Sequence, residues 1–119
     1  MGTWDAGPFG NDAAMDFVGD VIRSLTAPLD EFLADPQIDE TFDPAFAAIA
    51  LLNEVMTRTV ARPWDPAAEA PRDPRPIAEA MLRCFDEQIA GMAPAPGFEA
   101  DQRAALVAEL DRFVALGSR

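Results

Sequence analysis

A chain of 119 residues with 21 acids, nine arginines, no lysine and no histidine carries a formal charge of −12. With no histidine, no lysine and a single cysteine, Cys84, it has no ligand set for a Cys/His zinc site, no Ser/His or Cys/His catalytic pair, no Schiff-base amine and no internal disulfide. The acidic balance repels a phosphate backbone, so no nucleic-acid partner is expected. The longest apolar run, residues 45–52, is far short of the roughly 20 residues of a bilayer span, and no cationic leader opens the chain. A cytoplasmic protein with no membrane association and no cofactor is the expectation.

Alanine occurs 23 times and tyrosine never, while the β-branched residues that suit a pleated sheet are sparse. The reading is a single all-α domain over residues 1–119, long enough to bury about two-thirds of its unfolded surface. From Asn11 or Asp12, either able to cap a first turn, apolar residues recur at Ala14, Phe17, Val18, Val21, Ile22 and Leu25. This spacing predicts an amphipathic helix over 11–25. Pro28 then predicts a break, with a short helix over 28–34 that Pro36 ends.

Asp43 followed by Pro44 is a helix-start signal, and it predicts a helix over 44–61. Its first two turns, "PAFAAIAL", are apolar almost all the way round, as in a helix covered by neighbours on several sides. This is taken as the central helix. The five prolines of residues 62–76 predict an extended connection, on which Trp64 is expected to fold back over the core, the alternative being an exposed anchor for a partner. Asp73 and Pro74 repeat the start signal for a helix over 74–92, with Ile77, Met81, Cys84, Phe85, Ile89 and Met92 on one side. A last helix over 99–116 turns Leu106, Val107, Leu110, Phe113 and Val114 inward and stops at Gly117. The architecture expected is a bundle of four to five helices.

Three features bear on function. Asp12, Asp16 and Asp20 fall at i, i+4 and i+8 on one helix face, where carboxylates can hold a hard cation or simply face solvent. Glu54 follows an apolar stretch on the central helix, a setting in which a carboxylate acts as acid or base. Arg58, four residues on, offers the plainer reading of an intrahelical ion pair. An acidic zone, Asp30, Glu31, Asp35, Asp39, Glu40 and Asp43, lies in a stretch with no basic residue between Arg23 and Arg58. Such a zone suits a basic protein partner or serves solubility.

The opening "MGTWDAGPFGND" places Trp4 and Phe9 around a Gly7-Pro8 turn, just before the candidate caps Asn11 and Asp12. The physical reading is a clamp, in which both rings pack on the helices and fix how the first one starts; the functional rival is an exposed aromatic lid. The residues "MGTW", then Gly7, Pro8 and Phe9, then Asn11, Asp12 and Asp16 resemble the N-terminal signature of a bacterial family known as domain of unknown function 4259. Asp5 stands where the family usually has glycine, and Gly10 where it usually has an acid. The stretch "AIALLNEVMTRTVARP" is similar to the family's alanine-rich helix with a glutamate followed by Arg-Pro, which aligns Glu54, Arg62 and Pro63. The resemblance implies a small helical bacterial protein without a known activity, and it directs attention to Trp4, Phe9, Asn11, Asp12, Asp16 and Glu54.

No catalytic residue is assigned. The function expected is a non-enzymatic interaction protein, monomer or homodimer, whose acidic surface meets a basic partner as immunity and antitoxin proteins do. The alternative is a divalent-metal or acid-base enzyme in which Asp12, Asp16 and Glu54 converge where the first and central helices cross.

Overall fold

The computed structural model describes residues 6–119. Four helices carry the fold: α1 (Asp12–Ala34), α2 (Phe42–Arg58), α3 (Arg75–Gln88) and α4 (Phe98–Gly117). The all-α expectation holds, with one addition. The proline-rich connection contains a minimal antiparallel hairpin, β1 (Trp64–Asp65) with β2 (Ala70–Pro71), in which Trp64 pairs with Pro71 and Asp65 with Ala70.

The first correction concerns Pro28, which does not break the first helix. α1 is continuous for 23 residues with Pro28 inside it. The proline removes the N–H that would bond the Ser24 carbonyl, a loss of about 3 kcal/mol in a helix interior. Ser24 and Ala27 are exposed, so the missing bond lies on the solvent side. Beyond the proline, Leu29 and Phe32 are completely buried, and each contributes about 1.5–3 kcal/mol by burial. Those two side chains outweigh the proline. The helix does end before Pro36, which disfavours the helical conformation at Asp35 (φ −153°, ψ 83°).

The turn into α2 is closely knit. The Gln37 carbonyl accepts from the N–H groups of Glu40, Thr41 and Phe42, and Thr41 Oγ1 donates to the Asp35 carbonyl at 2.6 Å. The N-cap is therefore Thr41, with Asp43 in the first turn, so the helix starts at Phe42, two residues before the expected start at Pro44. At its other end the backbone turns extended at Thr59, and residues 59–61 of the expected helix lie outside it. Gln88 at the end of α3 anchors this turn from across the bundle. Its Oε1 accepts from the Ile38 N–H at 2.9 Å, and its Nε2 donates to the Pro36 carbonyl at 2.9 Å.

α2 occupies the central place expected of it, packed against α1 on one side and α4 on the other. Ring contacts centre on Phe42, which meets Phe32 edge-on at 6.2 Å, Phe46 at 5.9 Å and Phe85 at 6.1 Å, so one side chain links α1, α2 and α3. Side-chain bonds from α2 to α4 advance in the same direction, Asn53 with Glu109 and then Glu54 with Arg112, which makes the two helices parallel. α3 runs against α4, since Asp86 meets Arg103 and Pro74 meets Gly117. The long connection follows from this order, because the chain leaves α2 and must cross one end of the bundle to begin α3.

Asp73 and Pro74 do start α3. The Asp73 carboxylate accepts from the Arg75 N–H at 3.1 Å and Pro74 is the N-cap. The buried face of α3 is the one its periodicity predicts, Ile77, Met81, Cys84 and Phe85. Past Gln88 the α-helix gives way to a 3-10 turn, Ile89–Met92, which rotates Met92 out to solvent while Ile89 stays buried. Phe17, on the apolar stripe of α1, is also outside the core at 68 % exposure.

Candidate functional site

The residues singled out by sequence fall around the start of α1 and the C-terminal half of α2. Trp4 lies outside the described residues. Phe9 is half-buried against the core, and the Arg58 guanidinium sits 5.3 Å from its ring centroid. Asn11 is the N-cap of α1, its Oδ1 accepting from the Ala14 N–H at 2.8 Å. Asp12 follows in the first turn, where the partial positive charge of the helix terminus favours an acid. Asp16, one turn later, is exposed.

Glu54 is exposed on α2, and its partner corrects the sequence reading. Arg112 of α4 donates to Glu54 Oε1 at 2.8 Å, while Arg58 turns to Phe9. A second nitrogen of Arg112 donates to Thr57 Oγ1 at 2.9 Å, and that hydroxyl donates to the Asn53 carbonyl at 2.7 Å. The network joins α2 to α4 along their solvent edge. Among the described residues, no three Asp, Glu or Cys side chains come together in a group fit to hold a metal ion. Asp12 and Asp16 are thus not gathered with Glu54 into such a group.

Behind this edge Asn53 is fully buried, as a polar residue needing partners. Its Nδ2 donates to the Glu109 carbonyl at 3.0 Å and to Glu109 Oε2 at 2.7 Å. Arg112 and Glu109 escaped sequence reasoning because they lie more than 50 residues away on another helix, and periodicity carries no information about which helix faces which.

Trp64 is a further correction. It does not fold over the core: it is 54 % exposed on the hairpin, held there by the short strand pairing.

The acidic zone occupies the end of the bundle where α1 turns into α2. Glu31, Asp35, Asp39, Glu40 and Asp43 are all exposed. Arginine partners are placed elsewhere: with Asp20, Asp30, Glu54, Asp73 and Asp86. Among the described residues none of the five acids from Glu31 to Asp43 forms an ion pair. Arg119 is spent on a helix C-terminus, donating to the Met56 carbonyl at 2.6 Å, while Arg62 lies at the 3.5 Å limit of a hydrogen bond to the Gly117 carbonyl. Among the described residues, no helix is long and apolar enough to cross a membrane.

The fold and surface together define a small all-α bundle whose α1–α2 turn carries five exposed acids. Residues 2–115 match the family described as Domain of unknown function (DUF4259), and the chain belongs to that family. No curated protein and no solved structure matches the chain.

Proposed function

We propose that this chain is a non-enzymatic interaction module of the immunity or antitoxin kind, and that its acidic end binds a basic protein. One observation carries the reading: five exposed carboxylates crowd the α1–α2 turn, and among the described residues none of them has an arginine partner. Unneutralised like charges crowded on one end repel each other, and a cationic partner relieves that repulsion. Long-range attraction of this kind speeds association and weakens as salt is added.

The test is affinity capture from the native host with mass spectrometry, run in parallel on a variant carrying Glu31→Gln, Asp35→Asn, Asp39→Asn, Glu40→Gln and Asp43→Asn. The expected result is a basic protein that the native chain retains, that salt releases, and that the variant fails to hold. Equal capture by the two chains, or no specific capture at all, overturns the proposal.

A further inference from the structure

One stripe of α1, from Gly19 to Asp30, faces the α2–α3 connection across a cleft of about 450 Å³, a volume suited to a small organic ligand. The cleft gathers charge against the trend of the chain. Arg23, Arg62 and Arg72 line it together with a single acid, Asp30, so a third of the arginines of a −12 chain stand around one opening, although Arg23 is itself paired with Asp20 beside it. Asp30 is already neutralised, since Arg72 Nη1 bonds its carboxylate at 2.6 Å. Arg72 Nε is buried and has no hydrogen-bond partner among the described residues. Among the described residues Arg62 reaches only the Gly117 carbonyl, at 3.5 Å, the outer limit of a hydrogen bond. Arg62 thus retains donors for an anion, and Arg72 keeps its Nε–H, whereas Arg23 is paired with Asp20.

The second half of the recognition is apolar. The exposed indole of Trp64 forms one wall of the cleft, and the small side chains at Gly19 and Ala27 leave room along α1. Guanidinium groups beside an aromatic wall suit a planar ring that carries a carboxylate or phosphate. We propose that this cleft is a binding site for a small aromatic anion, with the charged group against Arg62 and Arg72 and the ring on Trp64. The site is separate from the acidic end and independent of the partner-binding reading.

The experiment is calorimetric titration with 1-naphthyl phosphate, and separately with inorganic phosphate and 1-naphthol as its two halves. The expected result is saturable one-to-one binding of the whole probe, at least tenfold tighter than either half. Arg62→Gln and Trp64→Ala each weaken it at least tenfold, while Arg83→Gln, on an exposed part of α3, leaves it unchanged. Amide resonance shifts in the native chain, concentrated at Gly19 and Ala27, give a readout that does not depend on any variant folding. Absence of saturable binding, equal affinity for inorganic phosphate, unchanged affinity in both variants, or shifts that map away from this stripe of α1 each overturn the proposal.

Discussion

Asn53 of α2 donates both its amide hydrogens to one residue of α4, Glu109, reaching the main-chain carbonyl at 3.0 Å and the carboxylate at 2.7 Å. A fully buried amide spent this way fixes the axial register of the two helices, because a slip of one residue breaks both bonds. Asn53→Leu therefore removes two hydrogen bonds, one of them charge-assisted, and strands Glu109 at a helix interface. The expected loss is about 2–4 kcal/mol by urea unfolding. Asn53→Asp fares worse at pH 7, since two carboxylates then face each other.

Pro28→Ala returns an N–H to the Ser24 carbonyl in the middle of α1. The native chain tolerates the proline because Leu29 and Phe32 bury beyond it, so the substitution keeps that burial and repairs the ladder. Stability should rise by about 1–3 kcal/mol, seen as an increase of several degrees in melting temperature. A lower melting temperature contradicts this account of the helix.

Asp86 and Arg103 tie α3 to α4 by two hydrogen bonds, at 2.8 and 3.0 Å. The bond from Arg103 holds the Asp86 carboxyl below the ordinary carboxylate range. A carboxyl depressed in the folded state adds stability above its unfolded value of about 3.9, and loses it as pH falls through the folded value. Arg103→Gln should thus lower the urea midpoint at pH 7, and the gap to the native chain should close below about pH 4.

Cys84 is packed on the buried face of α3, and burial pushes its thiol up, with the charge of Glu87 adding to the effect. Thiolate and access are both withheld. Ellman's reagent should label the native chain on the order of a hundredfold more slowly than the unfolded chain at the same pH. Labelling at equal rates would place Cys84 outside the core.

Much of this fold was legible in the sequence because it rests on local rules. The stripe Ile77, Met81, Cys84, Phe85 is buried as its spacing predicts, Asn11 caps α1, and α2 packs between α1 and α4, although Pro44, Ala47 and Leu51 of its apolar first turns face solvent. Pro28 misled because a local penalty met a larger tertiary gain, burial of residues beyond it. Glu54 misled for a related reason: Arg58 was in reach along the helix, yet Phe9 and Arg112 supplied competing partners from other parts of the chain. Exposure of Trp64 depends on strand pairing within a stretch whose prolines argue only for an extended backbone. Among the candidate residues, Asn11 declared its role through cap chemistry, while the convergence of Arg23, Arg62 and Arg72 required knowing where the connection crosses α1.

The single side chain of Gln88 closes the α1–α2 turn with both halves of its amide. Opening that turn therefore means releasing the last turn of α3 as well, although the two lie some 50 residues apart in sequence. The Ile38 amide, which would otherwise exchange with solvent as freely as its exposed neighbours, becomes a reporter of how often the far end of α3 frays. The acidic end is thus tied by two hydrogen bonds to a helix that contributes none of the carboxylates of the α1–α2 turn.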